Sequence, residues 1–153
     1  MTHGDREAVF AYRSDEVTNR HQGWIPKTLN DFDRWFGKRP IAINTPNTWF
    51  QLVVIDRKTQ EIIGDIGLHF PQNEPAGLWI GCTLRKAAHG RGLATECLKA
   101  VMEFAHDQLK KTSITAWILE ANTPSRKLFE RLGFELLSVD DANLCHYFRK
   151  LPL

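Results

Sequence analysis

Apolar and polar positions divide the chain into two regimes. Up to about residue 47 the spacing is helical. Ala8, Val9 and Tyr12 share a face over residues 5–12, with Asp5 as candidate N-cap. Thr28 reads as the cap of a second helix, with Asp31 at its third position and Leu29, Phe32, Trp35 and Phe36 on one side. Trp35 is expected in the core. A loop rich in proline and asparagine follows over residues 37–47.

From Trp49 the period changes to two. Residues 49–55 and 61–70 flank the polar turn 56–60 and predict an antiparallel hairpin. Residues 78–84 predict a third strand. A long helix then carries Leu93, Cys97, Val101, Phe104, Ala105 and Leu109 on its buried face. Ser113 to Leu119 is a fourth strand. Thr123 as the expected cap and Pro124 at the first helical position open another helix that stops at Gly133. Residues 134–139 and 144–150 complete a final strand pair. This order predicts one α/β (α+β) domain over residues 1–153, with a mixed, mostly antiparallel sheet. The strands on either side of the long helix should lie parallel, joined right-handedly.

Between the third strand and the long helix lies Thr83-Leu84-Arg85-Lys86-Ala87-Ala88-His89-Gly90-Arg91-Gly92-Leu93-Ala94. Gly90 and Gly92 allow a tight turn and close approach of a ligand to the backbone. The unpaired N–H groups at the helix start then favour an anion, most naturally a phosphate or pyrophosphate. The same residues also read as an ordinary strand-to-helix turn. Neither G-x-x-x-x-G-K-S/T nor G-x-G-x-x-G occurs, so nucleoside-triphosphate and dinucleotide loops are unsupported.

Composition narrows the function class. A 42% apolar, 25% charged chain is that of an ordinary soluble domain. A net charge of +2, spread along the chain, gives no nucleic-acid or membrane surface. No signal-peptide core or membrane span is present. Three cysteines without C-x-x-C spacing point to reduced thiols in the cytoplasm, and the histidine spacing suggests no metal.

The glycine loop resembles the acetyl-CoA loop of the GNAT N-acetyltransferases: Gln or Arg, two variable residues, Gly, a variable residue, then Gly or Ala. Residues 89–94 fill that window, with His89 in first position. Residues 121–134 (Asn122, Ser125, and Leu132-Gly133-Phe134) are similar to the N-x-x-S and L-G-F signature of the RimJ/RimL branch, which acetylates ribosomal-protein N-termini. Residues 63–68 and 12–15 also resemble that branch.

The resemblance implies the GNAT acyl-CoA N-acyltransferase fold, with acetyl-CoA as cofactor and an amine as acceptor. The acceptor would be a peptide N-terminus or a small molecule such as a polyamine, amino acid or aminoglycoside. Thr83 and Leu84 would pair with the pantetheine arm, and residues 90–94 would hold the pyrophosphate. Arg85 and Arg91 would add charge, and Asn122 a further pantetheine contact. A backbone N–H at Cys82 or Thr83 would stabilise the oxyanion. The tyrosine that protonates the thiolate in many relatives is Phe129 here, which leaves Ser125 as the acid. The usual third-strand Glu and Tyr are also absent from Trp79-Ile80-Gly81-Cys82, so Asp140, Asp141 and His146 stand as substitute bases. Trp24, Trp49 and Phe70 are the expected acceptor walls.

The first strand of the family has no counterpart here. Another segment or a second subunit would then cover the sheet edge, and a homodimer is among the expectations. The departures at the catalytic positions also fit a different class, a non-catalytic acyl-CoA-binding sensor. A nucleotide-phosphate site on the same loop is a third reading.

Overall fold

Capping and turn chemistry set the boundaries seen in the structure, a computed structural model that describes residues 1–152. Helix α1 spans Arg6–Arg13 and follows a 3-10 turn at His3–Asp5. Asp5 does not cap α1; its carboxylate instead accepts from the Thr2 backbone N–H at 2.6 Å. Helix α2 spans Leu29–Phe36 and has the expected capping box. Thr28 Oγ1 accepts from Asp31 N, while Asp31 Oδ2 accepts from Thr28 N. Strands β1 (Thr48–Ile55) and β2 (Ile62–Phe70) form the antiparallel hairpin, followed by β3 (Gly77–Leu84). Helix α3 (Leu93–Asp107), β4 (Ser113–Leu119), α4 (Thr123–Arg131), β5 (Glu135–Val139) and β6 (Leu144–Lys150) complete the chain.

The strands form one six-stranded sheet in the order β1-β2-β3-β4-β6-β5. Only β3 and β4 are parallel, as expected for strands joined through a helix. Their register covers only Gly77 with Ser113, Leu78 with Ile114 and Trp79 with Thr115. Beyond those pairs the strands part, leaving a gap beside the C-terminal half of β3.

Alternation along the strands separates two cores. On one face Ile66, Leu68, Ile80, Ile114 and Tyr147 pack with Leu98 and Met102 of α3 and Phe129 of α4. The buried stripe of α3 is Leu98, Met102 and Ala105, one position off the expected centre. Leu93, Cys97, Val101 and Leu109 flank it half-buried, and Phe104 is 37% exposed. The apolar arc of this helix is broad enough for either stripe, and the approach of the sheet selects one. On the other face α1 and α2 bury Val9, Tyr12 and Phe32. No strand precedes α1 among the described residues; the Met1 amine donates to Gln51 O of the edge strand β1.

Beneath α1 lies a buried charge. Asp65, 0% exposed, accepts from Arg13 Nε at 2.9 Å and a second Arg13 nitrogen at 2.6 Å. It also accepts from Tyr12 Oη at 2.5 Å and Gln51 Nε2 at 3.1 Å. Burial alone would lower the Arg13 pKa, but the carboxylate raises it above the usual guanidinium value. Burial and the same carboxylate push the Tyr12 phenol up. Asp65→Ala strands the Arg13 cation, so denaturant unfolding should show a loss of about 3–5 kcal/mol.

Candidate active site

Two concavities meet at the gap. A groove of about 470 Å³ runs past the glycine loop and the start of α4. A cleft of about 690 Å³ opens on the sheet face that carries α1 and α2. Gln22, Cys82 and Thr83 line both, so β3 forms the wall between them.

Backbone direction on β3 follows from its pairing. The Arg85 N–H donates to Ile63 O of β2 at 2.8 Å, and Thr83 and Gly81 sit opposite Asp65 and Gly67 in the same register. Because alternate residues turn their backbone groups to opposite sides, those of Cys82 and Leu84 face the gap. His89 Nε2 bonds Leu84 O at 2.8 Å, tying the loop back to the strand. The Cys82 N–H and C=O and the Leu84 N–H remain for a ligand. Of the two expected oxyanion donors, Cys82 therefore faces the gap, whereas Thr83 faces β2.

The loop itself is open. Gly90 and Gly92 have φ of +71° and +74°, and a Cβ at either would meet nothing within 4 Å. The first intrahelical bond of α3 runs from Glu96 N to Gly92 O. The N–H groups of Leu93, Ala94 and Thr95 thus lack partners within the helix, at the positive end of its dipole. Gly90, Gly92, Leu93 and Ala94 line the groove. A concave, unplugged turn of this kind, continuous with unpaired strand groups, fits a diphosphate joined to an amide-bearing arm.

The arginines behave differently from the expectation. Arg85 pairs with Glu61 at 2.8 Å and, like the exposed Arg91, is not part of the groove lining. Asn122, rather than Thr123, caps α4, its Oδ1 accepting from Ser125 N at 3.4 Å. Asn122, Ser125 and Phe129 all line the groove. Burial is the main cause that pushes the Cys82 thiol up to about 12, so its sulfur is neutral at ordinary pH.

Across the sheet face runs a ladder of five rings. Trp49 meets His69 at 5.1 Å, His69 meets Trp79 at 4.6 Å, Trp79 meets Trp117 at 5.9 Å, and Trp117 stacks on His146 at 4.4 Å. Trp49, Trp79 and Trp117 line the cleft, and Trp24 closes it from the side, stacked on Trp35 at 4.4 Å. Phe70 does not reach this cleft. It is 2% exposed in the opposite core, because it is the even member of the β2 alternation that also buries Ile66 and Leu68. His146 ends the ladder and is absent from the cleft lining. Asp140 is at the rim, but its Oδ1 accepts from Ala142 N and Leu144 N at 2.9 Å and holds the turn. Asp141 is exposed in that turn.

Sequence reasoning missed Arg39, Gln51, Trp79 and Trp117 in the cleft lining. The two tryptophans and Gln51 carried a signal, since each alternates onto the same strand face as Trp49. Arg39 lies in an irregular loop and carried none.

The acetyltransferase (GNAT) domain family matches residues 1–135. The chain belongs to this family. GNAT acetyltransferases draw their acyl group from acetyl-CoA, and the open cradle fits that donor. The acetyltransferase is 30% identical over 131 residues to the N-acetyltransferase p20 of Bacillus licheniformis, covering 86% of this chain and 74% of that one. It shares its fold with a GNAT acetyltransferase from Bacillus anthracis (TM-score 0.79, 21% identity, 97% and 89% of the two chains). The same holds for the spermidine N-acetyltransferase of Vibrio cholerae in complex with CoA and spermine (TM-score 0.82, 12% identity, 98% and 92%).

Gly92→Glu places a carboxylate at the cradle and a side chain at a left-handed φ. Calorimetry should show CoA affinity falling by about two orders of magnitude. Arg85→Ala, which removes only the pair with Glu61, should change that affinity by less than about threefold.

Proposed function

We propose that this acetyltransferase moves an acetyl group to a primary amine entering from the aromatic cleft. The observation that carries this reading is the meeting of groove and cleft at Cys82 and Thr83, where β3 and β4 part. Acetyl-CoA supplies an acyl group activated as a thioester. Residues 90–95 hold its diphosphate through main-chain N–H groups, and the Leu84 N–H with the Cys82 C=O orients the pantetheine amides. The Cys82 N–H faces the point where the acyl oxygen gains negative charge. Ser125 places a hydroxyl in the groove beside Phe129 and is the proton donor to the departing sulfur. Asn122 fixes the start of α4 through its Oδ1, which leaves its amide nitrogen for the pantetheine arm.

Removal of the proton from the amine has no dedicated carboxylate in this arrangement. Asp65 is consumed by four hydrogen bonds, and Asp140 holds its turn. The neutral amine therefore forms by loss of its proton to water. A peptide α-amine, with a pKa of about 7.7–8.0 against about 10.4 for lysine, suits such a site. The RimJ/RimL-like residues Asn122, Ser125 and Leu132-Gly133-Phe134 support a peptide N-terminus as acceptor. The three free thiols Cys82, Cys97 and Cys145 suit a cytoplasmic setting.

Phe129 in the tyrosine position favours the rival, an acyl-CoA-binding sensor without turnover. Thiol release from acetyl-CoA across a panel of peptides and small amines separates the two; binding of CoA with no turnover on any amine supports the sensor.

For the transferase, Ser125→Ala should lower kcat by about 10²-fold or more. Cys82→Ser should keep activity within about fivefold, since the backbone and not a thiolate acts. With a peptide acceptor, kcat/KM should rise with pH as the amine loses its proton and level off above about pH 8. For a lysine side chain the rise continues through about pH 10.

A further inference from the structure

The cleft contains a cation with no counter-ion. Arg39 lines it, lies with its guanidinium 4.2 Å from the Trp35 ring centroid, and has a buried Nε without a hydrogen-bond partner. It makes no ion pair among the described residues, whereas the neighbouring Arg13 is matched by Asp65. Burial, and then the Arg13 charge, pull its pKa down to about 10, so it remains a guanidinium at neutral pH. Asp140 is the one acidic residue in the cleft lining, and its Oδ1 is engaged by two backbone N–H groups.

A second unmet group lies in the same cleft. Gln51 Nε2 donates to Asp65, which turns Gln51 Oε1 away from that cluster; this oxygen is buried without a partner. Gly67 is what makes room for it. A Cβ there would approach Gln51 Oε1 to 2.6 Å and the Trp49 ring to 3.2 Å. The cleft thus presents a planar cation and an aromatic floor, with the unmet Gln51 oxygen closed to solvent.

We infer, on the reading of the cleft as the acceptor site, that Arg39 binds a carboxylate carried by the amine acceptor. The guanidinium fork matches a carboxylate in two parallel hydrogen bonds, and partial desolvation strengthens them. The tryptophans cover an apolar side chain. A polycation is the opposite case: spermine, the amine in the Vibrio cholerae complex, would here meet an uncompensated guanidinium. The acceptor class is an amine with a carboxylate close by, found either in a free apolar amino acid or in a peptide that begins with an acidic residue.

Four acceptors test this: leucine, leucinamide, a peptide beginning Asp-Leu and its Asn-Leu counterpart. With kcat/KM expressed per neutral amine, because a neighbouring carboxylate makes the amine more basic, at least one acid should exceed its neutral partner in the native protein by about 10- to 100-fold, mainly through KM. Whichever pair shows the difference identifies the source of the carboxylate. Arg39→Gln should collapse that ratio toward one through the KM of the acid, and Arg39→Lys should restore part of it. Equal rates for acid and neutral partner in both pairs in the native protein overturn the inference and leave the transferase reading intact. Turnover of none of the four would show that these amines are not acceptors, and the transferase reading would then rest on the wider amine panel. Calorimetric binding of the same four amines to the CoA-loaded protein then decides the inference, which fails if neither acid binds more tightly than its neutral partner.

Discussion

Three residue pairs hold β3 to β4, and the gap beside Cys82 and Leu84 follows from their ending at Trp79 and Thr115. A parallel pair that continued would satisfy the Cys82 and Leu84 backbone groups and close the sheet. By parting, the strands leave the Cys82 N–H and C=O and the Leu84 N–H unpaired at a wall shared by two concavities. Unpaired backbone polar groups are tolerated where a ligand or water replaces the missing strand. An arm bearing amides is the natural substitute, since it restores the ladder at the gap.

The surrounding structure keeps that gap open. On one side the α3 core fixes the helix whose N-terminus carries the cradle, and the His89 to Leu84 hydrogen bond ties the loop to the strand end. On the other side the Asp65 cluster clamps α1 to β2 and orients Gln51. It also sets the position from which the chain passes to residues 18–22 at the groove. Asn19 pins that passage by donating to Tyr12 O at 2.6 Å and Asp15 O at 2.9 Å. A fully hydrogen-bonded charge holds a unique geometry better than an apolar contact would, at some cost in stability. Here it gives rigidity next to a cleft that must stay open.

Much of this was legible in the amino-acid order because it rests on local chemistry. Thr28 with Asp31, Pro124 and Gly133 mark boundaries through groups only a few residues apart. Strand alternation predicted the hairpin, and Gly90 and Gly92 marked a tight turn, where both take a left-handed φ. What escaped was set by distance in space. Phe70 and Trp49 look alike in a strand, yet alternation sends one to the helical core and the other to the cleft. Arg85 looked like a phosphate ligand, yet it pairs with Glu61, just before the start of the neighbouring β2. The unmatched charge of Arg39 is a property of its neighbours and has no local signature. Asn122 takes the cap expected of Thr123, its Oδ1 accepting from Ser125 N three residues on.

On the proposed reading, backbone donors, rather than side-chain charges, receive the acetyl donor at the parted strands. A titration of CoA followed by backbone amide resonances tests it most directly. The largest shifts should fall at Cys82, Leu84 and residues 90–95, with the Thr83 amide much less affected because it faces β2. Shifts confined to other surfaces, with Cys82 and the glycine loop unmoved, would contradict it.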